Sequence, residues 1–178
     1  VEGAHRYLKR VDTFIKQVKP QPLWPSHDFL QQQLSESQQQ MRRTTYQTLE
    51  KICSDYDQRL SFNTAISSAM ILTNALSAYK VSDKIDEAIV FEGAWILTLV
   101  LAPITPHLSQ QHYEYLSGKD DLVMNQKWPT IDKEALKSQT QTLVVQVNGK
   151  KRGLISVGVD MSDEDIIALA KEEENVAR

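Results

Sequence analysis

Seven cations are the residues in this chain best suited to chemistry. Arg42 and Arg43 are adjacent, and Lys51 and Arg59 follow Arg43 at eight-residue steps. Eight residues are slightly more than two helical turns, so these side chains drift slowly along one helix face. Lys150, Lys151 and Arg152 stand together just after Asn148-Gly149. What such residues offer is contact with phosphate. Two separated basic patches on a near-neutral body suit a long phosphate backbone. The same pattern also reads as ordinary surface charge, and pattern alone does not choose between the two.

Other chemistries lack their residues. His5, His27, His107 and His112 are scattered, and the last two are five apart, a poor spacing for one helix face. Each reads as a surface or capping histidine. Cys53 is the one cysteine, which excludes an internal disulfide and a multi-cysteine metal site. It lies inside a helical stripe and reads as a small buried apolar residue. Asp55, Asp57, Asp120 and Asp121 read as solvated or capping carboxylates. There is no GxxxxGKS or GxxxxGKT loop, no GxGxxG and no HExxH. The expectation is a stretch with no catalytic residue, no metal ligand and no cofactor site of its own.

The elements that must position the cations follow from periodicity. Tyr7, Leu8, Val11, Ile15 and Val18 recur at helical steps over residues 4–18. Pro20, Pro22 and Pro25 then force an extended link. A second helix is predicted over about residues 29–56. Its glutamine-rich start reads as a solvated face, and Met41, Thr45, Leu49, Ile52 and Tyr56 form its buried stripe. Ser61 is the expected hydroxyl cap of a third helix, with Phe62, Ala65, Ile66, Ala69, Thr73 and Leu76 on one face. A fourth helix opens near Ser82 or Asp83, and Pro103 and Pro106 end it and start a fifth that stops at Ser117-Gly118. This predicts an antiparallel helical bundle. The connector 119–141 holds a short helical patch around Ala135, and its Trp128 is expected to plug a groove on the bundle.

The period then changes to two. Leu143, Val145, Val147, Ile155, Val157 and Val159 alternate with other residues around Asn148-Gly149, a hairpin signal. A strict two-residue turn would pair Val147 with Lys150 and Val145 with Arg152. One extra residue pairs Val147 with Lys151 and Leu143 with Ile155 and keeps the apolar residues on one face, so a bulge is predicted. Ser162 and Asp165 form a capping pattern for a last helix carrying Ile166, Ile167, Leu169 and Ala170. The fold class is therefore mainly α, a helical bundle over 1–138 followed by a small α+β domain over 139–178.

Composition bounds the partners. The chain has 178 residues, 41% hydrophobic and 24% charged, as in ordinary globular proteins. Its net charge of −3 gives no global attraction to nucleic acid. It opens on Val1 rather than Met, which suggests an excised fragment or a processed product. No signal-peptide pattern is present. The longest apolar run, AWILTLVLA at 94–102, is broken by Thr98 and falls short of the ~20 residues that cross a bilayer. It reads as a buried helix segment.

Several stretches carry a family resemblance. VVQVNGKKRGLISV resembles the VVQVNGKVRG-type segment near the C-terminus of bacterial leucyl-tRNA synthetases. VEGAHRYLKRV is similar to that family's VEGAxRFLxRVW stretch, which opens its anticodon-binding-type domain. MRRTTYQTLEKICSDYDQRLSFNTAISSAMILTNAL and LAPITPHLSQQHYEYL resemble its FNTAI and PH-containing runs. The FNTAI and APxxPH patterns are shared with valyl and isoleucyl relatives. There are departures: Asp12 stands where tryptophan is common, His112-Tyr113 where Leu-Trp is usual, and Lys151 where valine is frequent.

The resemblance implies a parent enzyme that joins leucine to tRNA(Leu) with ATP and Mg2+. It also implies a cytoplasmic protein with no membrane partner, whose catalytic and editing domains lie elsewhere in the same polypeptide. Neither the HIGH nor the KMSKS signature of that chemistry occurs in this stretch. The bundle would lie along the tRNA and the hairpin domain would reach its outer corner, with the seven cations as candidate phosphate contacts. Two alternatives stay open: the equivalent region of a valyl or isoleucyl enzyme, and a helical protein-interaction module without an RNA role.

Overall fold

A computed structural model describes residues 2–20, 34–137, 140–147, 150–158 and 161–172. Backbone contacts divide the chain into two compact units, 1–136 and 137–178. The fold is mainly α, with one two-stranded antiparallel sheet among the described residues.

The first unit contains α1 (Glu2–Ile15), α2 (Glu36–Asp57), α3 (Phe62–Ala78), α4 (Lys84–Leu101) and α5 (Pro106–Ser117). A 3-10 turn at Val123–Asn125 and the short α6 (Lys133–Leu136) follow. Tyr7, Val11, Phe14 and Ile15 bury one face of α1. On α2, Met41, Thr45, Leu49 and Ile52 form the expected stripe. The helix starts at Glu36, however, later than the sequence pattern suggested. Ser35 and Gln38 make a reciprocal capping box that fixes this start. Pro22, Pro25 and the predicted helical residues 29–33 lie outside the described residues.

α4 forms the centre of the bundle. Residues 94–102 are helical through Leu101, and nearly every side chain from Ala88 to Leu101 is buried, as a helix surrounded by neighbours requires. Asp83 and Asp86 cap its start. Gly93 lets α3 approach closely, because a Cβ there would meet Leu76 Cδ2 at 2.6 Å. Pro106 opens α5, and Gly118 closes it at φ +67, a conformation glycine adopts without strain.

Three local expectations are corrected. Ser61 stands before α3, but its hydroxyl donates to the Arg59 carbonyl instead of accepting a helix amide. Gln38 is buried, not solvated, and its amide donates to Asp86 Oδ1 at 3.0 Å and to the Asp83 carboxylate. Trp128 lies on the bundle surface and is only partly covered. It remains 41% exposed, packs against Tyr56 and donates from Nε1 to Cys53 Sγ at 3.2 Å.

The second unit contains β1 (Thr140–Val147), β2 (Lys150–Gly158) and α7 (Asp163–Glu172). Leu143 pairs with Ile155, as the bulge predicted, but the extra residue lies two positions further along β2 than the predicted register placed it. Val147 pairs with Lys150 and Gln146 with Lys151, then the register shifts so that Val145 pairs with Gly153. Arg152 is thus the extra residue. Displacing it from the ladder keeps its charge off the apolar face, where a strict register would have set it opposite Val145. Ile155 and Val157 are buried, whereas Val144 and Leu154 face outward. Asn148, Gly149 and Val159 lie outside the described residues. Ser162 caps α7: its hydroxyl accepts from the Asp165 amide and donates to the Asp165 carboxylate.

Candidate nucleic-acid interface

Of the four candidate cations on the bundle, Arg42 is removed by its burial. It is 5% exposed, and its guanidinium meets Glu92 on α4 at two points, Nε to Oε2 at 2.9 Å and Nη2 to Oε1 at 3.0 Å. Nη2 also donates to Asp132 Oδ2 at 2.8 Å. Tyr46 completes the cluster with an O–H donated to Glu92 Oε1 at 2.6 Å. Burial opposes the charge on Arg42, but the hydrogen bond and charge of Glu92 outweigh it and raise the guanidinium pKa. Burial also pushes the Asp132 carboxyl up, and the Arg42 contact more than reverses this. Asp132 Oδ1 in turn accepts from the Glu134 amide at the start of α6. Arg42 therefore clasps α2, α4 and the connector together and is not a surface ligand for phosphate.

The other three cations differ among themselves. Arg43 is half-buried, and its Nη1 donates to Gln40 Oε1 at 3.1 Å. Lys51 is exposed. The Arg59 side chain is 66% exposed, with Nη1 lying 3.7 Å from Asp55 Oδ1. Asp55 itself corrects the sequence reading: it is fully buried, not solvated, and neither carboxylate oxygen has a hydrogen-bond partner among the described residues. The guanidinium of Arg59 thus offsets a buried charge while keeping most of its surface open to solvent.

On the hairpin, Lys150 and Lys151 open β2 and Arg152 occupies the bulge with an exposed side chain. A bulge re-aims the residue it displaces, which suits a contact made away from the sheet. Sequence reasoning missed a further basic group. Arg6, Lys9 and Arg10 are all exposed on α1. Their spacing of three and four residues is the signal that would have found them.

His112 also departs from the sequence reading. It is 3% exposed, and its Nε2 lies 3.3 Å from Asp12 Oδ1. Burial lowers its pKa against the pull of Asp12, so the ring is neutral near pH 7 and belongs to the α1–α5 seam. Cys53 is half-buried against the Trp128 indole. Among the described residues no group of three or more His, Cys, Asp or Glu could hold a metal ion. No helix among them is long and apolar enough to cross a membrane.

The comparisons with known proteins agree with this architecture. The family described as "Anticodon-binding domain of tRNA ligase" matches residues 38–168. A curated leucine–tRNA ligase of Azotobacter vinelandii is 42% identical over the whole of this chain, which covers 20% of that relative. The corresponding protein of Ectopseudomonas mendocina is 41% identical, again over the whole chain and 20% of the relative. The chain thus spans about a fifth of the length of these relatives. Among solved structures, a crystal structure of the LeuRS–tRNA–LeuAMS ternary complex from Agrobacterium radiobacter K84 superposes with a TM-score of 0.72. It is 24% identical and matches 98% of this chain and 22% of that one, a likeness of fold.

Proposed function

The chain belongs to the anticodon-binding domain family of tRNA ligases, and we propose that it is the tRNA-positioning region of a leucine–tRNA ligase. One observation carries this reading: the similarity to curated leucine–tRNA ligases runs through both units from end to end, at 41–42% identity. The parent enzyme attaches leucine to tRNA(Leu) with ATP and Mg2+ in the cytoplasm. Its catalytic and editing parts, and the sites for ATP and metal, lie outside these 178 residues.

The role of this region is placement. Arg43, Lys51 and Arg59 on the bundle and Lys150, Lys151 and Arg152 on the hairpin are the proposed phosphate contacts. Contacts of this kind set register and orientation without reading sequence, and structured RNA is recognised largely by shape. The clasp of Arg42 with Glu92 and Asp132 stiffens the bundle that presents them.

The test is a charging assay on the full-length parent with leucine, valine and isoleucine, each with its own tRNA. Charging of tRNA(Leu) with leucine alone is the expected result. Charging with valine or isoleucine would move the chain to a sister enzyme. No charging with any of them would remove the ligase reading.

A further inference from the structure

We propose that the groove between α1 and α3 is a docking site for the phosphodiester backbone of a folded RNA. The groove has a volume of about 430 Å³ and is lined by Arg6, Lys9, Arg10, Thr13, Gln17 and Ser77, with Phe14 as its buried floor. This proposal rests on the tRNA-binding reading and places a contact surface on a helix to which nothing above assigned one.

The lining has the chemistry that phosphate requires. It contains three cations, two hydroxyls and one amide, and no carboxylate. Among the described residues neither Arg6 nor Lys9 has an ion-pair partner. Arg10 is held by Asn74 on α3, whose Oδ1 accepts from Nη1 at 2.9 Å. That bond uses one guanidinium donor and leaves the others available for a ligand. It also fixes the guanidinium at the groove, which lowers the ordering cost of a further contact.

The layout is linear. Arg6, Lys9, Arg10 and Thr13 fall at steps of three, one and three residues, a single stripe along α1. Arg6 and Arg10 are about 6 Å apart along the helix axis, a separation that lets successive phosphates of one strand be held together. Of the two acidic residues of this helix, Glu2 stands one turn before Arg6 and does not line the groove, and Asp12 is bound to Lys16 and His112 on the α5 side. A polyanion in the groove therefore meets cations and neutral donors. A small apolar ligand would find only the Phe14 ring.

The experiment measures binding of labelled tRNA(Leu) transcript to the 178-residue chain across a salt series. Wild type is compared with Arg6→Ala/Lys9→Ala/Arg10→Ala and with Thr13→Glu, which puts a carboxylate in the groove without removing a cation. A control, Lys80→Ala/Lys84→Ala/Lys119→Ala, removes the same charge from exposed positions elsewhere on the bundle. Circular dichroism confirms that each variant is folded. The proposal expects both groove variants to lose about tenfold or more in affinity, and the triple variant to lose about 2–3 units of salt slope. The control should stay within about twofold of wild type, its lysines making no phosphate contact. Groove variants that track the control overturn the proposal and leave the tRNA reading intact. A wild-type chain that does not bind tRNA overturns both.

Discussion

His112 Nε2 on α5 lies 3.3 Å from Asp12 Oδ1 on α1. These are two positions at which the sequence departs from the pattern of leucyl-tRNA synthetases, Asp12 standing for tryptophan and His112 falling where Leu-Trp is usual. The departures meet in space. A polar pair thus occupies the seam between α1 and α5, and Lys16 extends it by binding Asp12 Oδ2 at 2.7 Å.

This pair should couple in mutants. Asp12→Trp or His112→Leu alone leaves the remaining polar partner facing an apolar one. The double substitution makes the seam apolar on both sides, and a double-mutant cycle in urea should give a coupling of about 0.5–3 kcal/mol favouring the double change. Additive single effects would show that the two side chains do not depend on each other.

The same histidine should give stability a pH dependence. Its folded pKa lies below the ordinary 6.5 because the ring is buried. The unfolded chain then binds that proton more tightly than the folded one. The contribution of the neutral ring is present above about pH 6.5 and is lost as the pH falls below this value through the folded pKa. Asp12, Asp86 and Asp132 are lowered from 3.8, so their contributions are lost only in stronger acid. The urea midpoint should therefore fall between pH 7.5 and 5 in wild type, with a smaller fall in His112→Leu.

Arg42 should matter for folding and not for RNA. Arg42→Ala leaves Glu92 buried without its cation, a loss of about 3–5 kcal/mol. Adding Glu92→Ala should cost less than the sum of the two single changes. Chemical denaturation measures this. The affinity of the folded fraction for tRNA should match wild type.

Gly93→Ala should destabilise the bundle by about 1–3 kcal/mol through overpacking, because the added methyl meets Leu76 on α3. Leu76→Ala in the same chain should recover part of that loss, and thermal melts would show it. Equal losses with and without Leu76 would place the strain elsewhere.

Much of the architecture was legible from local rules. Helical periodicity marked the stripes of α1 and α2, Pro106 and Gly118 marked the limits of α5, and alternation marked the hairpin with its Leu143–Ile155 pairing. What escaped was set by tertiary partners. Adjacent arginines look alike in sequence, yet Arg42 is buried because Glu92 and Asp132 converge on it from 50 and 90 residues away. Gln38 sat in a polar run and is buried for the same reason, its amide answering Asp83 and Asp86. The bulge was foreseen, but its place at Arg152 depended on which charge had to leave the ladder.

The most direct test of the account is the salt dependence of tRNA(Leu) binding for wild type and for Lys150→Ala/Lys151→Ala/Arg152→Ala. If the hairpin helps hold the tRNA by its phosphates, the variant binds more weakly and its salt slope falls by about 2–3 units. Equal affinity and equal slope would contradict that role.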